Sequence, residues 1–240
     1  MLAERARAER AAALALVTLA SMTMASVALS VAGCAGRQLP IHPAPRSFTP
    51  DDYGSIYGDW TRSSDEFAFD RLQDVLHVTA TFESWEFRWA YVVRYASDYS
   101  LTTEERTRLL RSSLSDAEDR HRFFVTMVGN RFTESDLTGE RSAWRVLLVD
   151  EAGRQTRPVE IDRMRSPGAA ERVYFPTVNP QRHTYRIAFP TRHPNGEPVI
   201  APDAQRIRLR FTGAEGSVQL EWELDPNAPA TEPPHVLAGT

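Results

Sequence analysis

The chain has 240 residues and a formal net charge of −4, with 42% hydrophobic and 25% charged residues, one cysteine and 28 basic residues, every one of them arginine. A mildly acidic chain of this kind is a poor match for nucleic acid, and the absence of lysine excludes Schiff-base chemistry, a phosphate-loop lysine and a kinase-type lysine. The length suffices for one domain with a sizeable core.

The N-terminal segment reads as an export signal. Arg5, Arg7 and Arg10 outnumber Glu4 and Glu9 in the first ten residues, and residues 11–32 carry no charge, the basic start and apolar run of a signal peptide. At about 22 residues the run also reaches the roughly 20 that a membrane-spanning helix needs, so an uncleaved anchor is a rival reading. Its richness in Ala, Ser and Thr, and its end at a cysteine rather than at a positive cluster, argue against a permanent span.

The run closes on Val31-Ala32-Gly33-Cys34, an aliphatic residue, two small residues and a cysteine. This resembles the lipobox of bacterial lipoproteins. The resemblance covers about the first 35 residues only. It implies that residues 1–33 are a signal peptide, that the bond between Gly33 and Cys34 is cut, and that the Cys34 thiol and the new amino terminus are acylated. Two or three acyl chains hold a protein on a membrane durably where one does not. The implied place is the cell envelope, and Ala35, where inner-membrane lipoproteins of enteric bacteria tend to carry Asp, points to the outer membrane. An ordinary signal peptide cut after Ala32 or Ala35 would leave Cys34 a lone thiol or remove it. Without residues 1–33 the formal charge becomes −5 over 207 residues. With Cys34 acylated, no cysteine is left for a disulfide, a thiolate nucleophile or a Cys-zinc site.

Residues 34–50 contain Pro40, Pro43, Pro45 and Pro50 and read as an extended, partly stiff tether. Residues 225–240 hold four more prolines and few large apolar groups, the composition of a disordered tail. Between them, residues 51–224 form the domain.

Within it, the alternation of Leu76, Val78, Ala80 and Phe82 predicts a strand over 74–82. The segment 84–97 is ambiguous: Trp85, Trp89, Val92 and Ala96 recur at helical spacing, while Phe87, Trp89 and Tyr91 alternate as in a strand. Helix is favoured, because Thr102-Thr-Glu-Glu105 is a capping-box signature followed by an apolar stripe of Leu109, Leu110 and Leu114. Further strands are expected at 122–128, 143–149, 158–164 and 184–189, the second and third of these flanking a turn at 150–153. Ile207, Leu209 and Phe211 alternate with Arg206, Arg208 and Arg210, and Val218, Leu220, Trp222 and Leu224 with Gln219, Glu221 and Glu223. A hairpin that sets Phe211 opposite Val218 puts Ile207 with Trp222 on the core face and Arg208 with Glu221 outside. The expected fold is mainly β: an antiparallel immunoglobulin-like β-sandwich with a helix pair inserted after an early strand, around 84–120.

No nucleophile elbow, zinc-protease motif, phosphate loop or dinucleotide fingerprint is present. Asp116, Glu118, Asp119 and His121 are the nearest thing to a metal cluster, but at those spacings the side chains fan out. His183 and His193 read as loop histidines. Trp85, Trp89 and Tyr91 are the candidate ligand or partner surface, since aromatics bury large area and offer polar tips, against the simpler reading of core packing. No catalytic residue, metal or cofactor is expected beyond the lipid on Cys34. The leading expectation is a structural or protein-interaction module with an envelope protein partner. The alternative is an envelope-tethered binding protein for a small apolar or glycan ligand.

Overall fold

The computed structural model of the chain describes residues 38–43, 47–68 and 73–227. The expected signal peptide with Gly33 and Cys34, the first residues of the proline-rich segment and residues 228–240 lie outside them. In chain order the strands are β1 (Leu39–Pro40), β2 (Thr61–Ala68), β3 (Gln73–Phe82), β4 (Arg120–Gly129), β5 (Trp144–Val149), β6 (Gln155–Thr156), β7 (Glu160–Arg163), β8 (His183–Pro190), β9 (Arg206–Gly213) and β10 (Gly216–Asp225). The helices are α1 (Tyr53–Trp60), α2 (Trp85–Asp98), α3 (Thr103–Asp119) and α4 (Ala169–Tyr174).

The protein is mainly β, built as two five-stranded, largely antiparallel sheets with few helices, the layout of a β-sandwich. One sheet has the order β2-β3-β4-β8-β7 and the other β1-β10-β9-β5-β6. Their facing sides meet in one core. Leu76, Val78, Ala80 and Phe82 of β3 and Phe123, Val125 and Met127 of β4 are buried with Val146, Ile207, Leu209, Phe211, Val218, Leu220 and Trp222 of the second sheet. The period-2 pattern of each strand puts these residues on one face, as burial of a single sheet face requires.

The β9–β10 hairpin adopts the expected register, Phe211 opposite Val218 and Ile207 opposite Trp222. On its outer face Arg208 pairs with Glu221 at 3.1 Å, whereas Arg206 reaches diagonally to the same Glu221 at 3.8 Å and to Glu151 at 3.9 Å. The turn at 150–153 leads to a different partner from the one expected. Gly153 takes φ +83° and closes the turn through its N–H on the Asp150 carbonyl, and the chain pairs at once as the short β6. The strand expected at 158–164 crosses to the other sheet as β7, beside β8.

The ambiguous segment is helical, as α2 over Trp85–Asp98. The Ser84 hydroxyl caps α2 by accepting from the Phe87 N–H at 3.2 Å, and α3 starts on the expected capping box, with Thr102 and Glu105 bonded reciprocally. Leu110 is buried against Trp89 and Val92, with Leu109 and Leu114 beside them, so the apolar stripe of α3 packs on α2. Both helices lie in the chain between β3 and β4.

The proline-rich segment is not a free tether along its length. Leu39 is fully buried, and β1 pairs in parallel with the end of β10, Leu39 opposite Leu224 and Pro40 opposite Asp225. Pro40 sits on an edge strand, where its missing N–H costs no ladder bond. Phe48 packs against Trp85 and Trp89, with ring centroids 6.3 and 5.7 Å apart. Apolar residues between the prolines dock this stretch where composition alone read a spacer.

A cavity walled by tryptophan

Three of the elements around the helix pair start or stop at one end of the first sheet: β3 ends at Phe82, β4 begins at Arg120 and α1 ends at Trp60. There the inner-face row of that sheet runs out in Phe82 and His121, whose rings meet edge to face at 6.1 Å. Beyond them lies a cavity of about 390 Å³, within the range of small-molecule sites. Trp60, Phe82, Trp85 and Trp89 form its aromatic wall, and Leu114 and Ala117 of α3 close one side. Ile41, His42 and Pro43, directly after β1, and Ile200 and Pro202, in the loop before β9, close the other.

Helical spacing divides the three aromatic candidates. Trp85 and Trp89, four residues apart, share the face of α2 that lines the cavity. Tyr91 lies on the opposite face with Phe87, in an aromatic layer with Tyr53, Tyr174 and Phe175. Phe175 in turn stacks on Phe124 of β4 at 3.7 Å. Burial pushes the Tyr91 hydroxyl up to about 12 against the lowering pull of the Arg186 charge, so it stays protonated. Tyr91 thus joins α2 to the outer face of the first sheet.

Most polar groups at the cavity are already satisfied. Glu83 pairs with Arg88 at 3.8 Å and Arg186 at 3.6 Å, Arg120 with Glu160, and His42 Nε2 donates to the Pro202 carbonyl at 2.9 Å. Trp60 donates its indole N–H to the buried Glu86 carboxylate at 2.9 Å. Two groups differ. Trp85 Nε1 is buried with no hydrogen-bond partner, and among the described residues the His121 ring has ring contacts but no hydrogen bond.

The acidic cluster at the end of α3 spreads as its spacing predicts. Asp116 turns inward to Arg88 at 2.9 Å and Arg122 at 2.7 Å, Glu118 is exposed at the cavity rim, and His121 enters the cavity from β4. Burial raises the Asp116 carboxyl, but Arg122 and Arg88 outweigh it and hold the group below the usual carboxylate range. No group of three metal-ligating side chains converges among the described residues.

Burial first, and the Arg88 charge second, lower the His121 imidazole from 6.5 to about 4. It is therefore neutral near pH 7. In the unfolded chain it titrates near 6.5, so between about 6.5 and 4 the unfolded state holds a proton that the folded state lacks. Stability is expected to fall as pH drops through that window and to level off below it. Urea unfolding of the native chain and of His121→Phe across pH 4–7 checks this, the variant showing a shallower pH dependence.

His183 departs from the sequence reading. It opens β8 and is buried, donating from Nε2 to the Phe132 carbonyl at 2.6 Å while Nδ1 accepts from Arg163 at 3.0 Å. It lines a second cavity of about 330 Å³ with Arg163, Arg165, Arg172 and Arg182. Arg163 there is neutralised by Asp136. No helix among the described residues is long and apolar enough to cross a membrane.

Comparison with protein-family models, curated proteins and solved structures gives no match for the chain. What the site can do therefore rests on its own geometry.

Proposed function

We propose that this chain is a lipid-anchored cell-envelope protein whose domain binds a small, largely apolar ligand in the tryptophan-walled cavity. The observation that carries the reading is the convergence of Trp60, Phe82, Trp85 and Trp89 on one cavity of about 390 Å³. Concave, mostly aromatic walls with a few polar groups are the usual make-up of small-molecule sites. The interaction-module reading has less support: only four large apolar residues stand exposed among the described residues, Tyr99, Phe132, Val159 and Val173, each on a different element or loop. The anchor half of the proposal rests on Val31-Ala32-Gly33-Cys34, with cleavage before Cys34, acylation of its thiol and residence at the outer membrane.

The fold belongs to the same proposal. The neighbours β4-β8-β7 in one sheet and β10-β9-β5-β6 in the other follow the strand order B-E-D and G-F-C-C′ of an immunoglobulin-like sandwich. On that assignment α2 and α3 are an insertion before strand B.

The two halves are tested separately. Fatty-acid labelling should mark the native chain and not Cys34→Ala; equal label in both overturns the anchor. For the cavity, Ala117→Phe places a ring into it from α3. The variant should lose binding of an uncharged apolar probe, naphthalene, by about tenfold or more, because each 1.4 kcal/mol of lost interaction is a factor of ten. Equilibrium dialysis of the mature chain in nanodiscs, against empty nanodiscs, measures it. Unchanged binding in a folded variant overturns the site.

A further inference from the structure

The polar inventory of the cavity narrows what it takes. A charged ligand sealed into an apolar cavity needs a free counter-charge, since burying an unpaired charge is prohibitively costly. At this cavity the charges of Glu83 and Arg120 are each engaged by a protein partner. Glu118, which makes no ion pair among the described residues, is exposed at the rim and remains hydrated. The Ser84 hydroxyl already accepts the α2 cap bond and His42 Nε2 already donates to the Pro202 carbonyl, so each is engaged once within the protein.

His121 stands apart. It is partly buried, its ring lies beside Phe82 at the inner end of the cavity, and it makes no hydrogen bond among the described residues. A neutral imidazole offers one donor and one acceptor, and neither is engaged by a described protein group. The unpartnered indole N–H of Trp85 lies in the same wall. A polyhydroxylated sugar would strand most of its hydroxyls against Trp60, Phe82, Leu114 and Ile200, whereas a molecule with one polar head would strand none.

We propose that the cavity takes an uncharged ligand with a flat apolar body and a single hydroxyl or carbonyl head, and that the head is received by His121. This rests on the reading of the domain as a small-ligand binding protein. His121 then acts as the specificity-determining residue, and the tryptophan wall supplies affinity without selecting among heads.

The test is a head-group series on one body, measured by equilibrium dialysis at pH 7.5 with the mature chain in nanodiscs: naphthalene, 2-naphthol, 2-naphthoate and naphthalen-2-ylmethylammonium. In the native chain 2-naphthol should bind about threefold to tenfold more tightly than naphthalene, the contribution of one net hydrogen bond, and both ions more weakly than naphthalene. In His121→Phe, which keeps a ring and removes both nitrogens, the advantage of 2-naphthol should vanish while naphthalene binding persists. An ion that binds as tightly as 2-naphthol overturns the proposal, as does a naphthol preference that survives in His121→Phe. Equal binding of naphthalene and 2-naphthol to the native chain overturns this inference and leaves the binding function standing; no binding of any of the four removes both. The native-chain series decides the matter even if the variant does not fold.

Discussion

Replacing Arg88 by alanine is expected to lower the unfolding free energy by about 3–5 kcal/mol, the usual cost of removing one partner from a buried ion pair. Arg88 lies on α2 and its side chain is almost wholly buried. Its Nε donates to the Glu83 carbonyl at 2.8 Å, its Nη1 to the Ser113 carbonyl at 2.9 Å, and Nη1 also meets Asp116 at 2.9 Å. One guanidinium therefore ties the start of α2 to the end of α3. After its loss Asp116 keeps Arg122, but Glu83 is left with Arg186 at 3.6 Å, and two half-buried carbonyls lose their donor. Arg88→Met fills the volume without the charge, and is expected to lose most of the same stability. Urea midpoints at unchanged slope measure both. A loss below about 1 kcal/mol in each, the scale of an exposed pair, would show that the network does not hold the helices. The same substitution removes the second cause of the low His121 pKa, so its titration followed by NMR should move upward.

The second large effect falls on Trp222. It is fully buried on β10, packs on Phe123 at 5.4 Å and on Phe82 at 6.5 Å, and donates its indole N–H to the Trp60 carbonyl at 2.9 Å. It thus joins the second sheet to the first, just behind the cavity wall. Trp222→Ala is expected to cost about 3–5 kcal/mol, as large-to-alanine substitutions in cores do. That is a large share of the roughly 5–15 kcal/mol that holds a domain folded. Trp222→Phe keeps much of the packing and strands the Trp60 carbonyl, so its cost should be about 1–3 kcal/mol. If the two variants unfold at the same midpoint, ring volume is not what joins the sheets here.

How much of this was legible in the sequence depended on where the information resides. The β9–β10 register could be read because both faces of both strands alternate, so that one pairing satisfies the core and the outer charges together. The capping box of α3 could be read because its chemistry is local. β2 could not. Its sequence begins Thr-Arg-Ser-Ser-Asp, with no apolar alternation, and it is held to β3 by side-chain bonds between hydroxyls, Thr61 to Thr81 at 2.8 Å and Ser63 to Thr79 at 2.7 Å. α1 was hidden by Gly54 and Gly58 within eight residues, which lower helix propensity; it is held by Ile56 and Trp60 in the core.

The cavity was legible by halves. Trp85 and Trp89 announced a shared helix face, but Trp60, Ile41, Ile200 and His121 come from distant parts of the chain, and only the fold brings them together. His183 was misread because an Arg-His pair near a turn carries no sign of the strand that buries it.

The way the chain enters the domain sets how it meets mechanical load. The stretch upstream of Gln38 joins the fold at β1, two residues held in parallel alongside the end of β10. A pull from that side bears on those two rungs together, and the next residues along the line of tension, Ile41, His42 and Pro43, are themselves wall of the cavity. On the proposed anchor, traction from the membrane would therefore reach the cavity wall before it reached the long strands of either sheet.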